Sequence, residues 1–123
     1  MTLDTNIVIA YFAGEQLIVD LLTAWRKEGQ ALFLATVVET EVLSFPVWTV
    51  SEREIAEKFL EENFTSMSFD RMTARIAAKL RAKTKIKFPD AAIAATALIT
   101  HTPLVTRNVR DFQKIAELQV VLV

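Results

Sequence analysis

The chain has 123 residues, of which 52% are hydrophobic, with a mean hydropathy of +0.30 and a formal net charge of −1. These values fit one domain with a real core and exclude a disordered tail. No cysteine is present, which excludes disulfides and thiolate metal sites and agrees with a reducing, cytoplasmic setting.

Two glycines and three prolines imply short connections and much regular structure. The first residues lack a basic region and carry Asp4 inside their apolar stretch, so no signal peptide is expected. No uncharged apolar run reaches the roughly 18 residues of a membrane span.

In chain order, Met1–Leu3 lead into DTNIVIAYFAG, read as a very short strand ending at Asp4 and a helix to about Ala13, with Thr5 or Asn6 as its cap. Leu17, Ile18, Leu21, Leu22 and Trp25 have helical spacing, so a helix is expected over Glu15–Lys27, ended by Gly29. Ala31–Ala35 is a short buried strand, and Thr36 is the expected cap of a helix through VVETEVLSF. Pro46 should break that helix and leave an aromatic corner, Phe45–Trp48, which as an apolar connection suggests a homodimer or partner interface. Ser51 and Glu54 read as a capping box for a helix to about Glu62.

Phe64–Phe69 alternates like a strand, and Asp70 is placed to cap a basic helix, Arg71–Lys83. From Arg71 to Lys87 the chain carries Arg71, Arg75, Lys79, Arg81, Lys83, Lys85 and Lys87 with no acid among them, half of its 14 basic residues. A charge run is usually a solvated face, but the absence of acids favours a polyanion-binding patch. Next comes KFPDAAIAATALIT, a helix with Pro89 at its first position and Asp90 in its first turn. It is apolar nearly all round, which places it in the middle of the domain. Pro103–Thr106 reads as a strand, RNVRD as a loop, Asp111–Glu117 as a short helix and Gln119–Val123 as the last strand.

Short buried strands alternating with helices predict an α/β three-layer sandwich with a central, mainly parallel sheet. In such folds, functional groups gather beyond the carboxyl ends of the strands. Asp4, Glu41, Asp90, Asn108 and Asp111 can all lie at that edge. Glu39 and Glu41 are about 200° apart on their helix, so only one of them can face a given site. The directions of Val37, Val38, Val42, Leu43 and Phe45 favour Glu41. Clustered carboxylates repel, and a hard dication such as Mg²⁺ or Mn²⁺ resolves the repulsion. Such an ion can activate water against a phosphodiester, while the basic run holds the rest of a nucleic-acid backbone.

The segments LDTNIVIAYF, ATVVETEVLSF, FPDAAIAATA and LVTRNVRDF, in that order and spacing, resemble a PIN domain over essentially the whole chain, with the nearest likeness to the VapC toxins of toxin–antitoxin pairs. The resemblance implies a metal-dependent endoribonuclease on a parallel sheet, a homodimer, and an antitoxin that inhibits the site in trans. It maps the family's acids onto Asp4, Glu41 and Asp90 as catalytic and metal-binding residues. The fourth acidic position falls in TRNVRD, where either Asn108 as a neutral ligand or Asp111 can serve, although Asp111 also reads as a helix cap.

Asn6, Thr106 and Asn108 are expected to support the site, and Arg81, Lys83, Lys85 and Lys87 to bind RNA. His101 is the only histidine, which leaves a Ser-His-Asp triad or a histidine metal site without support. A haloacid-dehalogenase-like phosphatase also begins with an Asp after a first strand, but it needs a second acid where this chain has Asn6. A non-catalytic PIN-fold binding module is the other alternative, and the intact acids weigh against it.

Overall fold

β1 (Thr2–Leu3) is two residues long and wholly buried. A parallel sheet covered by helices on both faces needs strands of that kind, apolar to either side. In the computed structural model, which describes residues 1–45 and 47–123, β1 lies at the centre of a sheet with β2 (Phe33–Ala35), β3 (Thr65–Met67), β4 (Leu104–Thr106) and β5 (Val120–Leu122). The order is β3-β2-β1-β4-β5 and every pairing is parallel, with Thr2 opposite both Phe33 and Leu104.

The helices among the described residues are α1 (Thr5–Phe12), α2 (Gln16–Lys27), α3 (Thr36–Leu43), α4 (Val50–Asn63), α5 (Arg71–Thr84), α6 (Phe88–Thr100) and α7 (Val109–Phe112). They complete the expected three-layer α/β sandwich. None alone is long and apolar enough to cross a membrane.

The chain first travels outward from β1 through β2 to β3, then returns to the other side of β1 with β4. The strand order reverses between β1 and β4, and a crevice opens beyond their carboxyl ends. α6 runs under this point, against β1, β2, α3 and α5. All residues from Ala91 to Ala97 are buried, and the lone polar one, Thr96, donates its hydroxyl to Ala92 O at 2.9 Å. The small alanine side chains let strands and helices approach α6 closely. Pro89 stands at the second helical position rather than the first, because Lys87 is the cap, but its missing N–H still falls among the unpaired ones of the first turn. His101 ends the helix in a left-handed conformation. Gly29 likewise follows α2 at φ +77, a conformation that glycine adopts without penalty.

Several helix boundaries differ from the expected ones. β1 stops at Leu3, so the extended Asp4 caps α1, rather than Thr5 or Asn6. β2 runs into α3 without a side-chain cap: Ala35 takes the cap position and Thr36 is already helical. In α4 two capping boxes overlap in the sequence. The earlier one, Thr49 with Glu52, forms in place of Ser51 with Glu54, because starting two residues sooner adds helical hydrogen bonds such as Arg53 N to Thr49 O.

The expected helix Asp111–Glu117 is instead α7, starting at Val109. Phe112, Ile115 and Leu118 are buried at three-residue spacing through successive turns, Ile115 N to Phe112 O and Leu118 N to Ile115 O, which mimic a helical pattern. Asp70 does cap α5, accepting from Thr73 N at 2.9 Å.

Pro46, expected to break α3, lies outside the described residues. Trp48 turns inward, edge-on to Phe12 at 5.8 Å, with its indole N–H donated to Val42 O. The outward apolar groups of that corner are Phe45, Val47 and Val50.

The register of the α4 cap can be tested directly. Thr49→Ala should cost about 1 kcal/mol and lower the melting temperature by roughly 4 °C. Ser51→Ala should stay within about 0.5 kcal/mol of wild type. Calorimetric melts that reversed this order would place the box at Ser51.

Candidate active site

Asp4 directly follows β1, and its backbone N–H bonds to Val105 O of β4 at 3.0 Å. Its side chain, 6% exposed, accepts from Thr5 N at 2.8 Å, from Thr106 Oγ1 at 2.6 Å and from Asn6 Nδ2 at 3.3 Å. Burial pushes the Asp4 carboxyl above its ordinary pKa. The bonds from Thr106 and Thr5 oppose the shift, and the charges of Glu41 and Asp111 add to it.

Three acids from other elements face the same crevice. Glu41 reaches from α3 and accepts from Thr5 Oγ1 at 2.6 Å. Its neighbour Glu39 lies about 200° round the helix, away from Glu41. Asp90 stands in the first turn of α6, where burial, then the charges of Asp4, Asp111 and Glu41, push its carboxyl up to about 6; only Lys87 pulls the other way.

Asp111 lies in α7 and accepts from Asn108 Nδ2. It is not a cap: Asn108 holds that position, without a side-chain cap bond. Of the two open candidates for the fourth position, Asp111 lines the cavity beside Asp90, and Asn108 holds it.

The supporting residues form a connected set. Thr106 Oγ1, besides donating to Asp4, accepts from Asn108 N at 2.9 Å and from Asn6 Nδ2 at 3.4 Å. Asn6 Oδ1 accepts from Arg107 N. α1, β4 and the turn into α7 are thereby tied around the Asp4 carboxylate.

Beside these acids is a cavity of about 210 Å³, lined by Lys85, Ile86, Lys87, Asp90, Asp111 and Lys114. Lys85 and Lys87 of the expected RNA-binding group are in its wall. Lys83 and Arg81 are exposed on the last turn of α5 and do not line it, and Arg81 Nε is held by Ile86 O at 3.2 Å. Three participants had no signal in the sequence reading. Lys114 reaches the wall through the turn after α7. Thr5 positions Glu41 across 36 residues. Arg107 pairs with Glu15 through both guanidinium nitrogens, linking the β4–α7 loop to the start of α2.

The donors are all oxygens, the set that Mg²⁺ or Mn²⁺ takes. Among the described residues no three His, Asp or Glu side chains stand close enough to hold one ion together. Asp90 and Asp111 line an open cleft, with Asp4 and Glu41 near enough for their charges to raise Asp90. That suits an ion held by one or two carboxylates and several waters, as Mg²⁺ usually is.

Comparison with known proteins agrees with this architecture. The chain is similar to a toxin–antitoxin complex from Klebsiella pneumoniae, with 27% identity and a TM-score of 0.82 over 99% of this chain and 98% of that one. It is also similar to VapBC2 from Rickettsia felis bound to a DNA fragment from the promoter (20% identity, TM-score 0.85, 99% and 97% covered). A third similar structure is VapBC-1 from nontypeable Haemophilus influenzae (23%, 0.80, 98% and 96%). No curated protein matches the chain. The PIN domain profile matches residues 1–118, nearly the whole sequence, and the chain therefore belongs to the PIN domain family.

Proposed function

We propose that this protein is a divalent-metal-dependent endoribonuclease and the toxin of a type II toxin–antitoxin pair. The observation that carries the reading is the gathering of Asp4, Glu41, Asp90 and Asp111 beyond β1 and β4, where burial first, and then the charges of the other three acids, raise the Asp90 carboxyl to about 6. A fold gains nothing structural from such an arrangement, and a bound cation relieves its repulsion. Membership of the PIN domain family and the likeness to a toxin–antitoxin complex support the same reading.

Asp4, Glu41, Asp90 and Asp111 would between them hold one or two Mg²⁺ or Mn²⁺ ions, each on one or two carboxylates with waters completing its shell. The ion supplies Lewis-acid activation of water and offsets charge on the phosphoryl group. The remaining work belongs to the chain. Thr106 and Thr5 fix the Asp4 oxygens, so that one ligand is placed before any substrate arrives. Thr5 also draws Glu41 toward the cleft. Asp90, in the first turn of α6, brings its carboxylate to the cavity wall. Lys85, Lys87 and Lys114 bring positive charge to the same cavity, where they can hold the phosphates flanking the scissile bond. The further exposed cations of α5, Arg81 and Lys83 among them, extend that field along the strand. The outward Phe45, Val47 and Val50 offer an apolar surface to an antitoxin or a second copy of the chain.

Asp90→Asn should lower Mn²⁺-dependent cleavage of single-stranded RNA by roughly 10²–10⁴-fold. Thr106→Val, which keeps the shape but removes the hydroxyl, should cost about 10–100-fold. Wild-type rates in both folded variants would refute the assignment.

The raised pKa of Asp90 also has a stability consequence with a definite sign. The folded state binds the Asp90 proton more tightly than the unfolded state, so ionisation opposes folding as pH rises from the ordinary carboxylate range through about 6. In chelator, Asp90→Asn should therefore melt above wild type at about pH 8 and lose that advantage near about pH 4. Melting curves showing the variant below wild type at the higher pH would make Asp90 a structural first-turn acid instead.

A further inference from the structure

We propose that the exposed aromatic pair Phe69–Phe88, flanking the basic run of α5, is a stacking platform for a nucleobase of single-stranded RNA; the inference rests on the ribonuclease reading above. Phe69 is 39% exposed and Phe88 46%. Their rings meet edge to face, with centroids 5.4 Å apart and an interplanar angle of 70°, which engages only one ring face within the pair.

Both rings are carried on fixed backbone. Phe69 precedes Asp70, whose carboxylate is held by the N–H and the hydroxyl of Thr73 at 2.9 and 2.8 Å. Phe88 is the first residue of α6, held between its cap Lys87 and the buried body of the helix. A rigid exposed aromatic binds at little cost in conformational entropy, and every base has a face to offer it.

The surroundings choose the occupant. Phe88 follows Lys87, and the segment between the two rings carries Arg71, Arg75, Lys79, Arg81, Lys83 and Lys85, all exposed, against one acid, Asp70, whose carboxylate is taken up by Thr73. Lys85 adds a second sign. It holds a left-handed conformation, φ 59, at the end of α5, where glycine would be relaxed, and it keeps a basic side chain in the cavity wall. Aromatics interleaved with cations match a strand of stacked bases on a polyanionic backbone. A second copy of the chain would bring the same positive field and be repelled.

Phe88 lies two residues before Asp90, about 200° round the helix. Phe88 therefore does not face the cleft together with Asp90, the stacked base belongs to a nucleotide removed from the one being cut, and its loss should act on substrate binding.

The test measures cleavage of single-stranded RNA oligonucleotides, intact or with one abasic nucleotide at each position in turn, by wild type, Phe88→Ala and Phe88→Trp. Phe88→Ala should raise KM by between about five- and 150-fold, the range for one stacked base, and Phe88→Trp should restore it. One abasic position should raise the wild-type KM comparably and add nothing further in Phe88→Ala.

A folded Phe88→Ala with wild-type KM, or abasic effects that add fully to the substitution, would overturn the platform. So would a KM defect that tracks lost self-association in sedimentation, which would make the pair an interface between copies. If Phe88→Ala does not fold, the abasic scan on wild type decides alone, and a scan without one sensitive position overturns the proposal. Affinity for the same oligonucleotides in a non-cleaving Asp4→Asn background separates this inference from the ribonuclease reading. Weaker RNA binding on adding Phe88→Ala upholds the platform even where wild type cleaves nothing, and unchanged binding removes it.

Discussion

A single hydrogen bond, from Thr106 Oγ1 to Asp4 Oδ2 at 2.6 Å and fully buried, joins the ends of the two strands between which the sheet order reverses. A hydroxyl bonded to a carboxylate in a low-dielectric setting is among the stronger interactions that a neutral group can make. The same hydroxyl accepts from Asn108 N, so the turn into α7, and with it Asp111, takes its place from Asp4. Most of the site is in this sense built outward from one buried acid. Asn6 closes the loop by bonding both partners and the Arg107 backbone.

The bond does not fully compensate for what burial takes from Asp4. Desolvation outweighs the hydrogen bonds, and its carboxyl remains above the ordinary range. Asp90 meets the same problem with fewer partners and moves further, to about 6. The helix N-terminus that would favour its charge is outweighed by burial and by three neighbouring acids. Lys87 counteracts only part of this. Proteins commonly tolerate such local cost where activity needs it, with the surrounding packing holding the arrangement in place. Here that packing is α6, whose buried alanine-rich body fixes the axis from which Asp90 projects.

The features that sequence made legible are those with a local cause. The apolar run after Pro89 leaves α6 no solvent face, so both its burial and the position of Asp90 at its start follow from composition alone. Five short strands and their parallel order follow from apolar runs separated by helices. Helical geometry separates Glu39 and Glu41 by about 200°, so only one can face the cleft, but the apolar side does not identify it: Glu39 is half-buried, and Glu41 is exposed and held by Thr5. Helix starts were less legible, because a strand that ends one residue early, as β1 does at Leu3, moves the cap to Asp4. The overlapping capping boxes at Thr49 and Ser51 have the same local pattern, and the earlier one forms because it lengthens the helix. The turns after α7 imitate a helical pattern because three-residue spacing serves both. The Glu15–Arg107 pair, 92 residues apart, and the reach of Lys114 into the cleft depend on tertiary placement, for which a single sequence carries no signal.

The central claim is that a divalent cation answers the repulsion among these acids. Calorimetric titration with Mn²⁺ in buffers of different ionisation enthalpy tests it most directly. The account predicts saturable binding to wild type that releases protons near about pH 6, where Asp90 is part-protonated, and releases almost none near about pH 8. Asp4→Asn should bind much more weakly. Absence of Mn²⁺ binding to the folded protein, or binding of equal strength to Asp4→Asn, would contradict a metal site built on these carboxylates.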